Sequence, residues 1–114
     1  MDPAPPGARV LIVEDDFGIA SNLDTFLSLR GFQVDSVYSG QAALHRCSVD
    51  RFDLVLLDVG LPGLDGLEVA RRLPRVSPAS KILFVSHESD PDVIQEALRL
   101  GAGYVIAVVA GYGI

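Results

Sequence analysis

The stretch that decides the fold runs from residue 9 to residue 16 and reads RVLIVEDD. Its first part, Arg9–Val13, is a run of branched apolar residues, the pattern of a strand buried on both faces of a parallel sheet. Directly after it come three acids, Glu14, Asp15 and Asp16. A second run of the same character, Phe52–Leu57, is followed by Asp58. The pattern predicts two buried strands with carboxylates at their C-terminal ends.

Segments with strand and helix patterns alternate along the rest of the chain. Apolar spacing predicts helices over residues 17–30, 39–47, 65 to about 73, and 90–100, and further strands over residues 32–38, 81–86 and 104–109. Gly31 stands where a helix C′ glycine belongs, and Pro74 and Pro78 bound the third helix. Five strands alternating with four helices indicate an α/β fold, an open parallel sheet with helices on both faces.

Length and composition predict one intracellular domain. The chain has 114 residues, of which 49% are hydrophobic and 21% charged, so a single core is expected. We interpret residues 1–8 as a flexible lead-in and residues 9–114 as the domain. The net charge of −6 argues against direct nucleic-acid or membrane binding. A lone cysteine, no signal-peptide pattern and a longest uncharged run of 15 residues favour a cytoplasmic protein without a membrane span.

The acids at the strand ends predict a cation site. In open parallel sheets the ligand site lies beyond the carboxyl ends of the strands, so adjacent first and third strands would bring Glu14, Asp15 and Asp58 into one cleft. Carboxylates this close together repel one another and need a counter-ion, and Mg²⁺ prefers oxygen ligands. The alternative is that these acids are merely solvated at the starts of loops. Ser86 ends the fourth strand on the same edge, within reach of an oxygen carried by Asp58.

Four motifs give the chain its resemblance to a known family. They are VLIVEDD at residues 10–16, LVLLDVGLPGLDG at 54–66, ILFVS at 82–86 and GAGYV at 101–105. Over residues 9–106 the chain resembles the receiver (CheY-like) domain of bacterial two-component response regulators. The resemblance implies a flavodoxin-like sheet of five parallel strands in the order 2-1-3-4-5. The sequence and spacing from Ser86 to Tyr104 resemble those of the subfamily that carries a helix-turn-helix output domain for transcription regulation.

The resemblance also implies roles for individual residues. Asp58 would accept a phosphoryl group from a sensor histidine kinase or a phosphotransfer protein, while Glu14 and Asp15, with Asp58, hold Mg²⁺. Ser86 would contact the phosphoryl group. Tyr104 matches the aromatic residue that rotates inward on activation, although a half-buried aromatic on an edge strand would explain it as well. The expected role is that of a signalling phosphoacceptor, with at most self-phosphorylation and self-dephosphorylation as enzymatic activity.

Two departures from the family lie near the C-terminus. Receivers have a lysine three residues after the switch aromatic, and here that position is Ala107; the chain's single lysine is Lys81. From residue 107 to residue 114 the resemblance stops, and this tail is too short to build the fifth helix of the family. We therefore expect a sheet face that the tail or a second copy in a homodimer covers, or that stays uncovered in an unstable or poorly soluble fragment.

Three other functions compete with a phosphoacceptor. The first is a degenerate receiver that acts as a binding or dimerisation module without phosphorylation, which Ala107 favours. The second is a haloacid-dehalogenase-like phosphatase, which needs a second acid at position 60, where this chain has Gly60. The third is a Rossmann-type nucleotide site, which needs glycines where Glu14, Asp15 and Asp16 stand. The residues disfavour the last two.

Overall fold

Branched apolar residues form the centre of one sheet in the computed structural model, which describes residues 7–58, 66–86 and 104–107. The elements along the chain are β1 (Arg9–Val13), α1 (Phe17–Ser28), β2 (Gln33–Val37), α2 (Gly40–Val49), β3 (Leu54–Asp58), α3 (Gly66–Val76), β4 (Lys81–Ser86) and β5 (Tyr104–Ala107). From β1 to β4 the strands and helices alternate as predicted.

The strands are all parallel and lie in the order β2-β1-β3-β4-β5. This order confirms the prediction. Within β1, Val13 pairs with Val37 of β2 on one side and with Leu57 of β3 on the other. Residues Val10 to Val13 have no exposed surface, as expected for a strand covered on both faces.

Helices cover both faces of the sheet, and β1 contributes to both layers. Leu11 and Val13 belong to a core cluster that includes residues of α2 and α3. Val10 and Ile12 belong to a second cluster, which includes Ala20 of α1. Alternate residues of a strand point to opposite faces, so α1 lies on one side and α2 and α3 lie on the other. Cys47 is buried in the first cluster, and burial raises the pKa of its thiol.

The two ends of α1 are fixed by backbone hydrogen bonds that the sequence indicates. At the start, an Asp16 carboxylate oxygen accepts a hydrogen bond from the Ile19 N–H at 3.1 Å. At the end, Phe32 N–H donates to Leu27 O at 3.3 Å and Gly31 N–H donates to Ser28 O at 3.1 Å. This pair is a Schellman motif, which requires a left-handed residue at C′. Gly31 has φ of 93°, so its predicted role is confirmed, while regular helix ends at Ser28 rather than residue 30.

The prediction that the third helix ends at about Leu73, before Pro74, is wrong, although the helix does end before Pro78. Helix α3 continues to Val76 with Pro74 inside it. An interior proline loses one helix hydrogen bond and its ring crowds the carbonyl four residues before it, at a cost of about 3 kcal/mol that the surrounding structure must offset. Two features carry the helix past it: Leu73 is fully buried, and the Ser77 N–H donates to Leu73 O at 2.7 Å.

Other boundaries differ from prediction by one or two residues. Strand β2 is shorter by one residue at each end, and α2 begins at Gly40 because Ser39 is its N-cap, accepting from the Ala42 N–H at 3.2 Å. Strand β3 starts two residues later than predicted and includes Asp58 as its last residue. The predicted helix over 90–100, the proposed cap at Asp65, residues 1–6 and the tail after Ala107 lie outside the described residues. None of the helices within the described ranges has the length and apolar character of a membrane span.

Replacing Gly31 by alanine should destabilise the fold through the backbone alone. A Cβ at this position would meet no atom within 4 Å, so the cost is the left-handed conformation, about 1 kcal/mol in the free energy of unfolding. Gly31→Asn should lose less, because asparagine tolerates positive φ better. Urea denaturation measures the effect. Leu29→Ala, which removes an 80% exposed side chain of the same turn, is the control, and a Gly31→Ala variant as stable as wild type would contradict the assignment.

Candidate functional site

Three carboxylates meet at the C-terminal edge of the sheet. Glu14 and Asp15 follow β1, and Asp58 is the last residue of the neighbouring strand β3. Because Val13 is paired with Leu57, Glu14 and Asp58 continue the two strands side by side. One carboxylate oxygen from each of the three residues lies within 4.8 Å of the others. The clustering expected from the sequence is therefore present.

The three side chains differ in burial. Glu14 is 3% exposed and Asp58 is 6% exposed, whereas Asp15 lies at the surface. The Glu14 backbone N–H donates to Val37 O at 3.1 Å, which ties the start of the acidic loop to β2. The Asp16 N–H donates to a Glu14 carboxylate oxygen at 3.4 Å. Glu14 and Asp58 thus form the buried base of the site, and Asp15 forms its exposed edge.

Burial and neighbouring acids shift the protonation of the site. The pKa of Glu14 is raised from 4.5 to about 8, first by burial, then by its hydrogen bond to Asp58 and the negative charge of Asp58. A hydrogen bond with Asp15 raises this pKa further, and the Asp16 backbone N–H opposes the shift. Near neutral pH the cluster without a cation therefore retains a proton on Glu14, which reduces the repulsion among the carboxylates.

The cluster has the donor set and the size for a hard divalent cation. Around an octahedral Mg²⁺ with ligands at about 2.1 Å, neighbouring and opposite oxygens are separated by about 3 to 4 Å. A spread of at most 4.8 Å among the carboxylate oxygens needs only a small inward movement to match. Carboxylates and water are the ligands that Mg²⁺ prefers, so Glu14, Asp15 and Asp58 are suited to hold it.

Asp16, the third acid of the motif, has a different position. Its carboxylate caps α1 rather than joining the cluster. The sequence contains a signal for this role, since Asp followed by an amphipathic segment is a common N-cap. Asp16 O also accepts from the Ala20 N–H at 3.0 Å. The residue therefore links the acidic loop to the helix that follows.

Of the positions singled out on β4 and β5, two lie at the C-terminal edge of the sheet in the backbone, and Tyr104 lies three residues before that edge. Ser86 ends β4 and Ala107 ends β5, and the two are paired in register. Asp58 pairs with Val85, the residue before Ser86. Tyr104 begins β5 and pairs with Leu83. Their side chains lie outside what the structure describes, so their roles remain predictions.

One contact near the site was missed by the sequence reasoning. Phe17 at the start of α1 and Tyr38 after β2 have ring centroids 4.4 Å apart, with an angle of 65° between the planes. The two residues lie 21 positions apart in the chain, and no periodic pattern relates them. Only the pairing of β1 with β2 brings them together.

Comparison with known proteins gives consistent relatives. Residues 10–107 match the family model of the response regulator receiver domain. Sporulation initiation phosphotransferase F of Bacillus subtilis is 34% identical over 94 residues, covering 82% of this chain and 76% of that protein. Transcriptional regulatory protein AfsQ1 of Streptomyces coelicolor is 39% identical over 103 residues, covering 90% of this chain and 45% of the regulator. The chain thus spans less than half the length of this transcriptional regulator.

A solved structure shares the fold. Response regulator protein TrrA of Thermotoga maritima, determined in complex with Mg²⁺-BeF, superposes with a TM-score of 0.80 at 27% identity, covering 91% of this chain and 89% of that chain. The strand order, its acidic edge and the match over residues 10–107 agree with one another. The chain belongs to the response regulator receiver domains of two-component signal transduction.

Proposed function

We propose that Asp58 is the phosphoacceptor and that Glu14, Asp15 and Asp58 hold Mg²⁺ during the transfer. The observation that carries the proposal is the buried Asp58 carboxylate at the end of β3, with oxygens of Glu14 and Asp15 within 4.8 Å. The donor would be a phosphohistidine of a sensor histidine kinase or of a phosphotransfer protein. Similarity to a sporulation phosphotransferase supports this partner class.

The chemistry follows from the position of Asp58. An oxygen of its ionised carboxylate attacks the phosphorus, the P–N bond to the donor imidazole breaks, and the imidazole nitrogen takes up a proton. An acyl phosphate on Asp58 is the product. A bound Mg²⁺ would neutralise the developing charge on the phosphoryl oxygens. Glu14 and Asp15 hold the cation, and the burial of Glu14 and Asp58 limits the access of water.

We extend the proposal to the residues on β4 and β5. Ser86 is expected to donate a hydrogen bond to a phosphoryl oxygen, and Tyr104 to respond to the movement of Ser86. Ala107 leaves the site without the lysine of the family, and a charged contact to a phosphoryl group contributes on the order of a few kcal/mol. We therefore expect slow phosphorylation and weak coupling to the Ser86 and Tyr104 switch. We also propose a second copy of the chain, in a homodimer, as a partner of this domain.

The proposal extends to the cellular setting. A cytoplasmic signalling domain, rather than an enzyme acting on separate substrates, fits the acidic site and the family. Similarity to AfsQ1 supports transcription regulation through an attached output domain. The net charge of −6 favours an output domain, rather than the receiver, as the part that contacts nucleic acid.

Acetyl phosphate and Mg²⁺ should add one phosphoryl group to the protein. Intact-mass spectrometry should show a gain of about 80 Da, which Asp58→Asn abolishes because the nucleophile is lost. Asp24→Asn is the matched control, since Asp24 is a half-buried carboxylate on α1, away from the acidic cluster, that accepts a hydrogen bond from Ser28 Oγ. A folded wild-type protein that binds Mg²⁺ and gains no mass would support instead a module that binds partners without phosphorylation.

Mg²⁺ affinity should increase as the pH rises towards 8. Below its pKa of about 8, Glu14 carries a proton that the cation must displace, so the apparent Kd should rise by about tenfold per pH unit of acidification. Isothermal titration calorimetry between pH 6 and pH 9 measures this, and proton release appears as a dependence of the heat on the buffer. An affinity independent of pH from 6 to 8 would contradict the raised pKa.

The Glu14→Gln variant provides the control for that prediction. It should bind Mg²⁺ more weakly and lose most of the pH dependence. Because the pKa of Glu14 is higher in the folded state, the metal-free wild type should lose stability as pH rises from about 4.5 to 8. Glu14→Gln has no such proton to lose, and at pH 8 with a chelator it should unfold at a higher urea concentration than wild type.

The Ala107→Lys variant should accelerate phosphorylation. Position 107 is paired with Ser86 at the active edge of the sheet, and a lysine there would add a cation beside the acidic cluster. We expect the initial rate of labelling by acetyl phosphate to rise by about tenfold or more, given the energy of a charged phosphoryl contact. Ala107→Met adds bulk without charge and should leave the rate unchanged. Equal rates in the lysine and methionine variants would contradict a role for the missing charge.

A further inference from the structure

An exposed aromatic pair lies beside the acidic loop. Phe17 is 68% exposed and Tyr38 is 44% exposed, yet their rings meet edge to face with centroids 4.4 Å apart. Side chains with this much exposed surface lie outside the core, so core packing does not hold the two rings together. Edge-to-face contact is itself favourable, because the positive ring edge meets the negative ring face.

The acidic loop of Glu14 to Asp16 is attached at one end to the last residue of β2 and at the other end to the residue that follows β2. On one side, the Glu14 N–H donates to Val37 O at 3.1 Å. On the other side, Phe17, the residue directly after the loop, contacts Tyr38. Val37 and Tyr38 are consecutive, so one short stretch of backbone holds both ends of the three-residue loop. Asp15 lies at the middle of this loop.

Asp15 depends on the loop more than the other two acids do. Glu14 and Asp58 are buried, and packing restricts their positions, whereas Asp15 is exposed. When no cation is bound, the negative charge that remains in a cluster whose oxygens lie within 4.8 Å of one another favours outward movement of its least restricted member. A contact that fixes the end of the loop opposes this movement and reduces the ordering needed on binding.

We propose that the Phe17–Tyr38 aromatic pair positions Asp15 for cation binding. The proposal rests on the function proposed above, because it assigns these two residues to the same Mg²⁺ site. They are positioning residues and do not contact the metal. Their effect is to hold the acidic loop in its binding shape before Mg²⁺ arrives.

Mg²⁺ binding by aromatic variants tests the proposal. Phe17→Ala and Tyr38→Ala should each weaken binding about two- to tenfold in calorimetric titrations. Tyr38→Phe keeps the ring and should bind as wild type does, and Tyr38→Leu, which keeps apolar bulk, should bind as weakly as Tyr38→Ala. The double variant should be no weaker than either single alanine variant, since both remove the same contact.

Phe26→Ala is the matched control. Phe26 is also an exposed aromatic of α1, at 46%, and it stacks against Arg30 at 3.6 Å rather than against β2. Its removal should leave Mg²⁺ affinity unchanged. Alanine variants of Phe17 and Tyr38 that bind as tightly as wild type, or effects that add in the double variant, would overturn the proposal.

Amide hydrogen exchange of the metal-free protein separates this proposal from the proposed function. Phe17→Ala should speed exchange at the Glu14 and Asp16 amides and leave exchange at the Val55 amide of β3 unchanged. Phe26→Ala should change exchange at none of these amides. Unchanged exchange at the loop amides overturns the positioning role. If wild type binds no Mg²⁺, both proposals fail; if wild type binds Mg²⁺ and gains a phosphoryl group while the aromatic variants match it, only the positioning role fails.

Discussion

The pairing of β1 with β3 sets two carboxylates side by side at a buried edge, and the properties of the site depend on it. Val13 and Leu57 lie opposite each other inside the core, so Glu14 and Asp58, the next residues, have little freedom to separate. Burial first, and then the proximity of Asp58, raises the pKa of Glu14 to about 8, and the pair forms a place where a divalent cation lowers the free energy. Apolar strands thereby impose an arrangement that the charges alone would avoid.

The three acids after β1 have two different roles. Glu14 and Asp15 belong to the carboxylate cluster, and Asp16 caps α1. The cap fixes the direction of α1, the helix that covers Val10 and Ile12. A loop of three residues therefore connects the core, a helix start and the candidate metal ligands, which leaves little room for independent changes in any of them.

Much of this organisation could be predicted from sequence, because it depends on local patterns. The apolar runs of β1 and β3, the position of Gly31 and the acids at the strand ends are all visible in short windows. The resemblance to receiver domains supplied the strand order. The end of α3 was predicted wrongly at Pro74, because the helix-breaking effect of proline is outweighed there by the burial of Leu73. The contact of Phe17 with Tyr38 could not be predicted, since it depends on how β1 and α1 sit against β2.

The division of β1 between two cores has a consequence for how this chain tolerates change. Val10 and Ile12 pack on one layer, and Leu11 and Val13 pack on the other. A single-residue insertion in this strand would exchange the two sets and send each side chain to the wrong layer. The same slip would move Glu14 away from Asp58. Core packing and the geometry of the acidic cluster therefore depend on the same residue spacing along the strand, so a change that breaks the one also breaks the other.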